Sequence, residues 1–284
     1  MKKLTEAKYY KKLDNNNIRC TLCPHFCPIP EDMIGACGIR KNIDGTLFAL
    51  DDGYISSCGY DPIEKKPLMN YKRASNIFSI GGFGCNLRCD FCQNFEILYN
   101  KSLRNYVEDE FLLEMAKKHN SIGIAYTYNE PFINYEMLLR LAKKIKAQNQ
   151  DNIIVTNGFI NEKPLKEILP YIDAMNIDLK MNDQEKYREI CGADLMPVKR
   201  TIKLAHEKTH VEITILLIDS LNTDDKKLNE TANWIACIDK KIPVHLSRYF
   251  PNFMRNDPPT SIETIKRAYK IFKKYLDYVY LGNV

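Results

Sequence analysis

No stretch of these 284 residues is apolar enough to cross a bilayer. The longest purely aliphatic run is Ile215-Leu216-Leu217-Ile218. The amino terminus has no secretory core either: Met1-Lys2-Lys3-Leu4 is followed by Thr5-Glu6-Ala7-Lys8 with no apolar segment. A cytoplasmic protein with no membrane partner is therefore expected. Charge of one sign is also scarce. The 41 basic and 36 acidic residues leave a net charge of +5, too mild to argue for nucleic acid by itself. Internal repeats and long low-complexity tracts are absent, and residues 14–17 and 252–259 are the most loop-like. In a reducing compartment the ten cysteines are expected to bind metal rather than to form disulfides. The length suits one large α/β domain with a small appendage.

What is present begins with one stretch. Ile77, Phe78 and Ile80 read as a strand, and Gly81, Gly82 and Gly84 then free the backbone to turn. Cys85, Cys89 and Cys92 follow in the spacing C-x3-C-x2-C. Thiolates favour soft metals and iron–sulfur clusters. Three of them on a four-iron cube leave one iron open to something other than protein. A zinc knuckle needs a fourth ligand nearby, and no cysteine or histidine follows before His119.

A second cysteine set lies nearer the amino terminus. Cys20, Cys23, Cys27 and Cys37, spaced C-x2-C-x3-C-x9-C, can close a tetrahedral site. Structural zinc fits it, and so do a [4Fe–4S] cluster or a rubredoxin-like iron. His25 sits among these ligands and reads as a turn residue. The segment from Gly45 to Leu50, then Gly53 to Ser57, alternates like a small hairpin. So small a lobe needs a metal for stability. Cys58 stands alone. Residues 61–68 read either as a solvated, proline-bounded connector or as a substrate-facing segment.

From residue 76 onward short apolar strands alternate with amphipathic helices. Strands are expected near 76–81, 121–127, 152–156, 173–179, 210–218, 242–247 and 277–281. Helices are expected near 108–119, 132–149, 162–169, 197–208, 224–238 and 260–275. This alternation implies parallel βαβ units. About six of them make an α/β fold, a partial (β/α)6 TIM-like barrel, with residues 76–284 as barrel and 1–75 as cysteine-rich lobe and linker. Chemistry in such folds gathers at the carboxyl ends of strands. There lie Glu130 before Pro131, the turn Thr156-Asn157-Gly158, Asp178 and Lys180 on one face of their strand, and His245, Ser247 and Arg248.

The run Gly-Cys-Asn-Leu-Arg-Cys-Asp-Phe-Cys-Gln-Asn, with Phe91 before the third cysteine, resembles the signature of the radical S-adenosylmethionine (SAM) superfamily. It is similar to the subgroup around pyruvate formate-lyase activating enzyme and, more narrowly, to the AmmeMemoRadiSam-system radical SAM enzymes, whose motifs run from about Cys20 to Val284. The resemblance implies the partial barrel, a [4Fe–4S] cluster on Cys85, Cys89 and Cys92, and SAM on the open iron. It also implies a flavodoxin or ferredoxin as reductant. Tyr128-Asn129-Glu130 stands where the superfamily has a Gly-Gly-Glu-like motif for the SAM amino group, so Glu130 carries over and two glycines do not. Thr156 and Asn157 match the Asp-Thr-Asn-Gly run of glycyl-radical activases, with Val155 replacing the aspartate. Asp178 and Lys180 match the Asp-x-Lys motif that holds the SAM carboxylate and ribose. A ligand-contacting histidine of related activases makes His245 and Arg248 candidates, and residues 61–68 match a family linker motif. Longer members continue past a matching Gly-Asn-Val into a Cys-Pro-x-Cys tail, a contribution not expected from the sequence in hand.

The expected activity is reductive SAM cleavage to methionine and a 5′-deoxyadenosyl radical, which abstracts a hydrogen atom from a protein or small-molecule substrate under anaerobic conditions. A glycyl-radical activase proper is the narrower alternative. A zinc-ribbon module binding nucleic acid or protein is the non-enzymatic one, disfavoured by the strand-end placement of Glu130, Asp178 and Lys180.

Overall fold

The computed structural model describes residues 4–284; Met1, Lys2 and Lys3, part of the leader reading, lie outside the described residues. Its spine is an eight-stranded sheet whose spatial order follows the chain. β1 (Ser57–Pro62) lies antiparallel at one edge. Seven parallel strands follow: β2 (Asn76–Gly81), β3 (Ser121–Thr127), β4 (Asp151–Thr156), β5 (Ala174–Asp178), β6 (His210–Leu217), β7 (Val244–Arg248) and β8 (Val279–Gly282). Helices cross between them: α1 (Asp109–Met115), α2 (Tyr135–Ala147), α3 (Glu162–Ile168), α4 (Gln184–Cys191), α5 (Leu195–His206), α6 (Asp225–Ala236) and α7 (Ile262–Phe272). Strands in chain order joined by helical crossovers make the wall of a partial barrel, open between the edges β1 and β8.

The helices seat on this wall through apolar stripes. In α2, Leu138, Leu141, Ala142 and Ile145 recur at helical spacing and are buried, each large side chain contributing about 1.5–3 kcal/mol. The expected strands and helices occur with ends shifted by a few residues. α4 was not expected. It buries only Tyr187 and Cys191, so its stripe is thin. Its limits are local: Asp183 accepts from the Lys186 N–H at the start, and Gly192 takes φ +66° at the end.

The barrel interior holds part of its own chain. Ile63 and Leu68 are fully buried against Ile77, Ala125, Ile153 and Ala174, the inward residues of β2 to β5. The small side chains of Ala125 and Ala174 leave room for this linker. The Asn176 amide donates to the Pro67 carbonyl at 2.8 Å. Glu212, buried on β6, accepts from the backbone N–H groups of Met69 at 2.9 Å and Asn70 at 2.7 Å. The solvated-connector alternative is thereby excluded, because apolar side chains and a buried carboxylate hold the segment inside.

The amino-terminal region is built from two small antiparallel sheets. One has the order Thr5–Glu6, Thr46–Ala49, Arg40–Ile43; the other Tyr10–Lys12, Ile18–Cys20, Pro28–Ile29. The hairpin expectation needs correction. Thr46–Ala49 pairs back onto Arg40–Ile43 around Asp44 and Gly45, both at positive φ, whereas Tyr54–Ile55 pairs with Asn105–Tyr106. The left-handed Asp-Gly turn selects the earlier partner.

A buried ion pair ties this region to the barrel. Arg40, 1% exposed, donates to both Glu136 oxygens on α2 at 2.8 and 3.3 Å and to the Ile133 carbonyl at 3.2 Å. Removing one partner leaves the other charge buried and unpaired, at a cost of about 3–5 kcal/mol. Glu136→Ala should therefore lower the denaturant midpoint strongly, while the paired replacement Arg40→Met with Glu136→Leu should recover much of the loss.

Candidate active site

The carboxyl ends of the strands, the loop after β2 and the linker enclose a cavity of about 420 Å³. Cys85, Cys89, Cys92, Phe91, Asn129, Glu130, Thr156, Asn157, Asp178 and Lys180 all line it. Residues separated by nearly a hundred positions are thus gathered by the topology of one sheet.

The cysteine loop is held from several sides. Asn129 accepts from the Gly82 N–H at 2.9 Å and donates to the Phe83 carbonyl at 2.9 Å. Gly84 takes φ +68°, and a Cβ there would stand 2.3 Å from the Cys37 carbonyl oxygen, so only glycine fits. Asn157 donates to Asn86 Oδ1 at 2.9 Å, and its amide lies 3.6 Å from Cys85 Sγ. The Leu87 N–H approaches the same sulfur at 3.4 Å. Asn157 therefore faces a thiol rather than standing alone as a turn residue. His25 contacts the Asn86 carbonyl at 2.7 Å, which brings the amino-terminal region against this loop.

Burial pushes the thiols of Cys85 and Cys92 up, and for Cys85 the neighbouring Glu130 adds to it. Cys89 is raised first by its hydrogen bond with Cys191 and then by burial. Such thiols become thiolates only against a strong local positive charge. Three soft donors on one wall of a water-sized-to-cofactor-sized cavity fit an iron–sulfur cube with an iron left open. Among the described residues no three His, Cys, Asp or Glu side chains converge on a single metal ion; a cube instead spreads its thiolates over separate irons.

Asp178 and Lys180 pair at 2.7 Å while both remain part-exposed to the cavity. Burial works against the Lys180 ammonium, but Asp178 and the nearby thiols raise it. Glu130 is 1% exposed. It accepts from Thr156 Oγ1 at 2.7 Å, the Asn157 N–H at 2.8 Å and the Phe132 N–H at 3.0 Å. Burial nonetheless lifts its carboxyl to about 7. It joins the ends of β3 and β4, with both oxygens occupied.

The structure places two expected residues outside this lining. His245 does not line the cavity: its ring nitrogen donates to Glu212 at 2.6 Å lower in the barrel. Arg248 is also outside the lining, its guanidinium donating to the Thr260 carbonyl at 2.8 Å and lying over Phe250. Ser247 lines the cavity instead. Asn222 supports a loop, donating to the Lys180 and Leu216 carbonyls, while Leu216 lines the cavity. Sequence reasoning missed Lys66 and Tyr128 as lining residues, and Cys191 beside Cys89. The duplicated lysine of the linker motif and a tyrosine in a glycine's place were the available signals for the first two.

A family profile described as Radical SAM superfamily matches residues 79–235. The chain belongs to the Radical SAM superfamily. An uncharacterised protein of Methanocaldococcus jannaschii is 38% identical over 99% of this chain and 86% of its own length. A pyruvate formate-lyase-activating enzyme of Clostridium pasteurianum is 24% identical, covering 58% of this chain and 72% of that one. A domain of such an activating enzyme from Bacteroides vulgatus shares the fold, with a TM-score of 0.50 and 21% identity over 57% of this chain and 99% of that one. Membership of the Radical SAM superfamily carries with it a [4Fe–4S] cluster and SAM as cofactors. The four amino-terminal cysteines line one small cavity with His25 and Arg40.

The linker anchor below this site titrates. Burial pushes Glu212 up, but the ring N–H groups of His210 and His245 and the two backbone N–H groups outweigh it and hold it at about 2, against an ordinary 4.5. The folded chain thus binds fewer protons than the unfolded one between these values. Its contribution, on the order of 3 kcal/mol, is complete above about pH 4.5 and disappears as pH falls towards 2. Urea midpoints measured across that window should fall steeply for the native chain and less for Glu212→Gln.

Proposed function

We propose that this chain is a radical SAM enzyme that cleaves SAM reductively in the 420 Å³ cavity and acts on a protein or small-molecule substrate. The observation that carries the reading is the shared cavity. The three thiols of the C-x3-C-x2-C loop and the Asp178–Lys180 pair line one space at the strand ends. Cys85, Cys89 and Cys92 would hold the cluster. When bound, the cluster would pass one electron, received from the reductant, to the SAM sulfonium, whose C5′–S bond would break to leave methionine and a 5′-deoxyadenosyl radical that takes a hydrogen atom from the substrate.

The chain's own residues set the stage for that chemistry. Asn157 and the Leu87 N–H direct hydrogen bonds at Cys85 Sγ, stabilising it as a thiolate. Lys180 presents an ammonium to the SAM carboxylate, and Asp178 orients that ammonium and offers an acceptor to the ribose. Glu130, Thr156 and Asn129 keep the strand ends and the cysteine loop in register, and Phe91 covers the loop from solvent. A flavodoxin or ferredoxin is the proposed reductant and the cytoplasm the proposed location, with residues 76–284 as the catalytic barrel. Residues 1–75 form the proposed lobe and linker; Cys20, Cys23, Cys27 and Cys37 line one cavity without converging on a single ion as they stand, and would have to close in to hold zinc or a second iron–sulfur centre. A glycyl-radical partner protein is the narrower form, supported by the activating enzyme among the relatives and opposed by Val155.

Anaerobic reconstitution with iron and sulfide, followed by dithionite and SAM, should yield 5′-deoxyadenosine. Cys89→Ala should lose the cluster absorbance and bring this product to background; product formation at the native rate would end the reading. Metal analysis of the anaerobically purified chain addresses the lobe. About one zinc per chain, lost on Cys23→Ser, supports structural zinc, whereas about four additional irons mean a second cluster.

A further inference from the structure

The linker that fills the barrel also arms its cavity. Lys66 is 2% exposed, yet it lines the cavity beside Tyr128. An ammonium carries three N–H donors. One goes to Asp61 at 2.7 Å, and the Tyr128 hydroxyl is a long 3.5 Å away, with the ring face 4.8 Å from the nitrogen. Asp61 accepts from the Tyr128 hydroxyl at 3.0 Å through the same oxygen. That oxygen is therefore filled twice, and the lysine is left with a donor to spare on the cavity side.

Tyr128 supplies an independent sign. Its φ is +70°, a left-handed conformation that costs a bulky side chain on the order of 1 kcal/mol or more. Glycine would relieve that strain. The tyrosine keeps it while placing a hydroxyl on Asp61 and a ring face on Lys66. A buried charge pair that merely filled space would be replaced by apolar side chains at no loss of stability. Lys65 and Ser247 also line the cavity, the Lys65 ammonium lying 3.6 Å from the other Asp61 oxygen, while Asn176 Oδ1 already accepts from Thr214 at 2.9 Å. A wall with donors to spare and occupied acceptors recognises an anionic oxygen.

We propose that Lys66, held by Asp61 and Tyr128, is a binding subsite for a carboxylate of the substrate, distinct from the Asp178–Lys180 pair. The proposal rests on the catalytic reading of the same cavity and narrows its substrate to a carboxylate-bearing molecule or peptide. Asp61 holds the ammonium in place but also competes for its charge with an incoming carboxylate, whereas an amide at the same position keeps an acceptor on the ammonium without that competition.

The test uses carbon-13 acetate as probe, titrated by NMR line broadening into the anaerobically reconstituted chain with saturating SAM, so that Lys180 is occupied. Saturable acetate binding is expected in the native chain. Lys66→Met should weaken it at least tenfold. Asp61→Asn, which removes the competing carboxylate, should tighten it severalfold. SAM affinity, measured in parallel, should stay within twofold in both variants. Absence of acetate binding to the native chain overturns the proposal, as does equal binding to Lys66→Met. Loss of SAM affinity together with acetate assigns Lys66 to SAM and also overturns it. If Lys66→Met does not fold, Asp61→Asn decides: no tightening sinks the subsite. Acetate binding that depends on Lys66 in a chain making no 5′-deoxyadenosine sinks the catalytic reading and upholds the subsite.

Discussion

Four N–H groups converge on the Glu212 carboxylate: two from the linker backbone and one each from His210 and His245. A lone buried carboxylate would be strongly unfavourable, and this one is ionised because its donors outweigh the loss of water. The rest of the architecture depends on it. With Met69 and Asn70 held, Pro67 reaches Asn176, Leu68 and Ile63 fill the space between inward-facing strands, and Lys66 arrives at the cavity. The floor of the proposed reaction chamber is thus a piece of chain, where many barrels use layers of branched side chains.

The wall above is similarly interlocked. The cysteine loop has no regular structure of its own over residues 82–94 and takes its shape from neighbours. Asn129 holds its glycines, Asn157 holds Asn86, and the Cys37 carbonyl packs where a Gly84 side chain would be. The Arg88 N–H donates to the Cys191 carbonyl at 2.9 Å, which seats the loop on the end of α4. The two cysteine sets are thereby neighbours through backbone contact, and the Arg40–Glu136 pair fixes the region that carries one of them.

Much of this was legible in the residues. Parallel strands announce themselves as short apolar runs between helical stripes, and the same-face placement of Asp178 and Lys180 follows from a period of two. The cysteine spacing pointed to its chemistry without any coordinates. Other features were not legible, for identifiable reasons. His245 has the right parity for the interior, but parity does not give depth, and it lies low in the barrel on Glu212. Glu130 sits at the right strand end, yet its three donors come from Phe132 and from β4 with the turn after it, contacts that no local pattern encodes. The linker's charged composition left a solvated connector and a substrate-facing segment equally open. Its buried position is set by partners more than a hundred residues away.

That separation has a temporal side. The Asn70 N–H and the Glu212 carboxylate that receives it lie 142 positions apart in the chain. At ordinary rates of synthesis the linker leaves the ribosome roughly ten seconds before its anchor exists. During that interval Ile63 and Leu68 have no barrel to enter. The interior can be finished only when β6 docks, so the plug is among the last parts of the nascent chain to find its place.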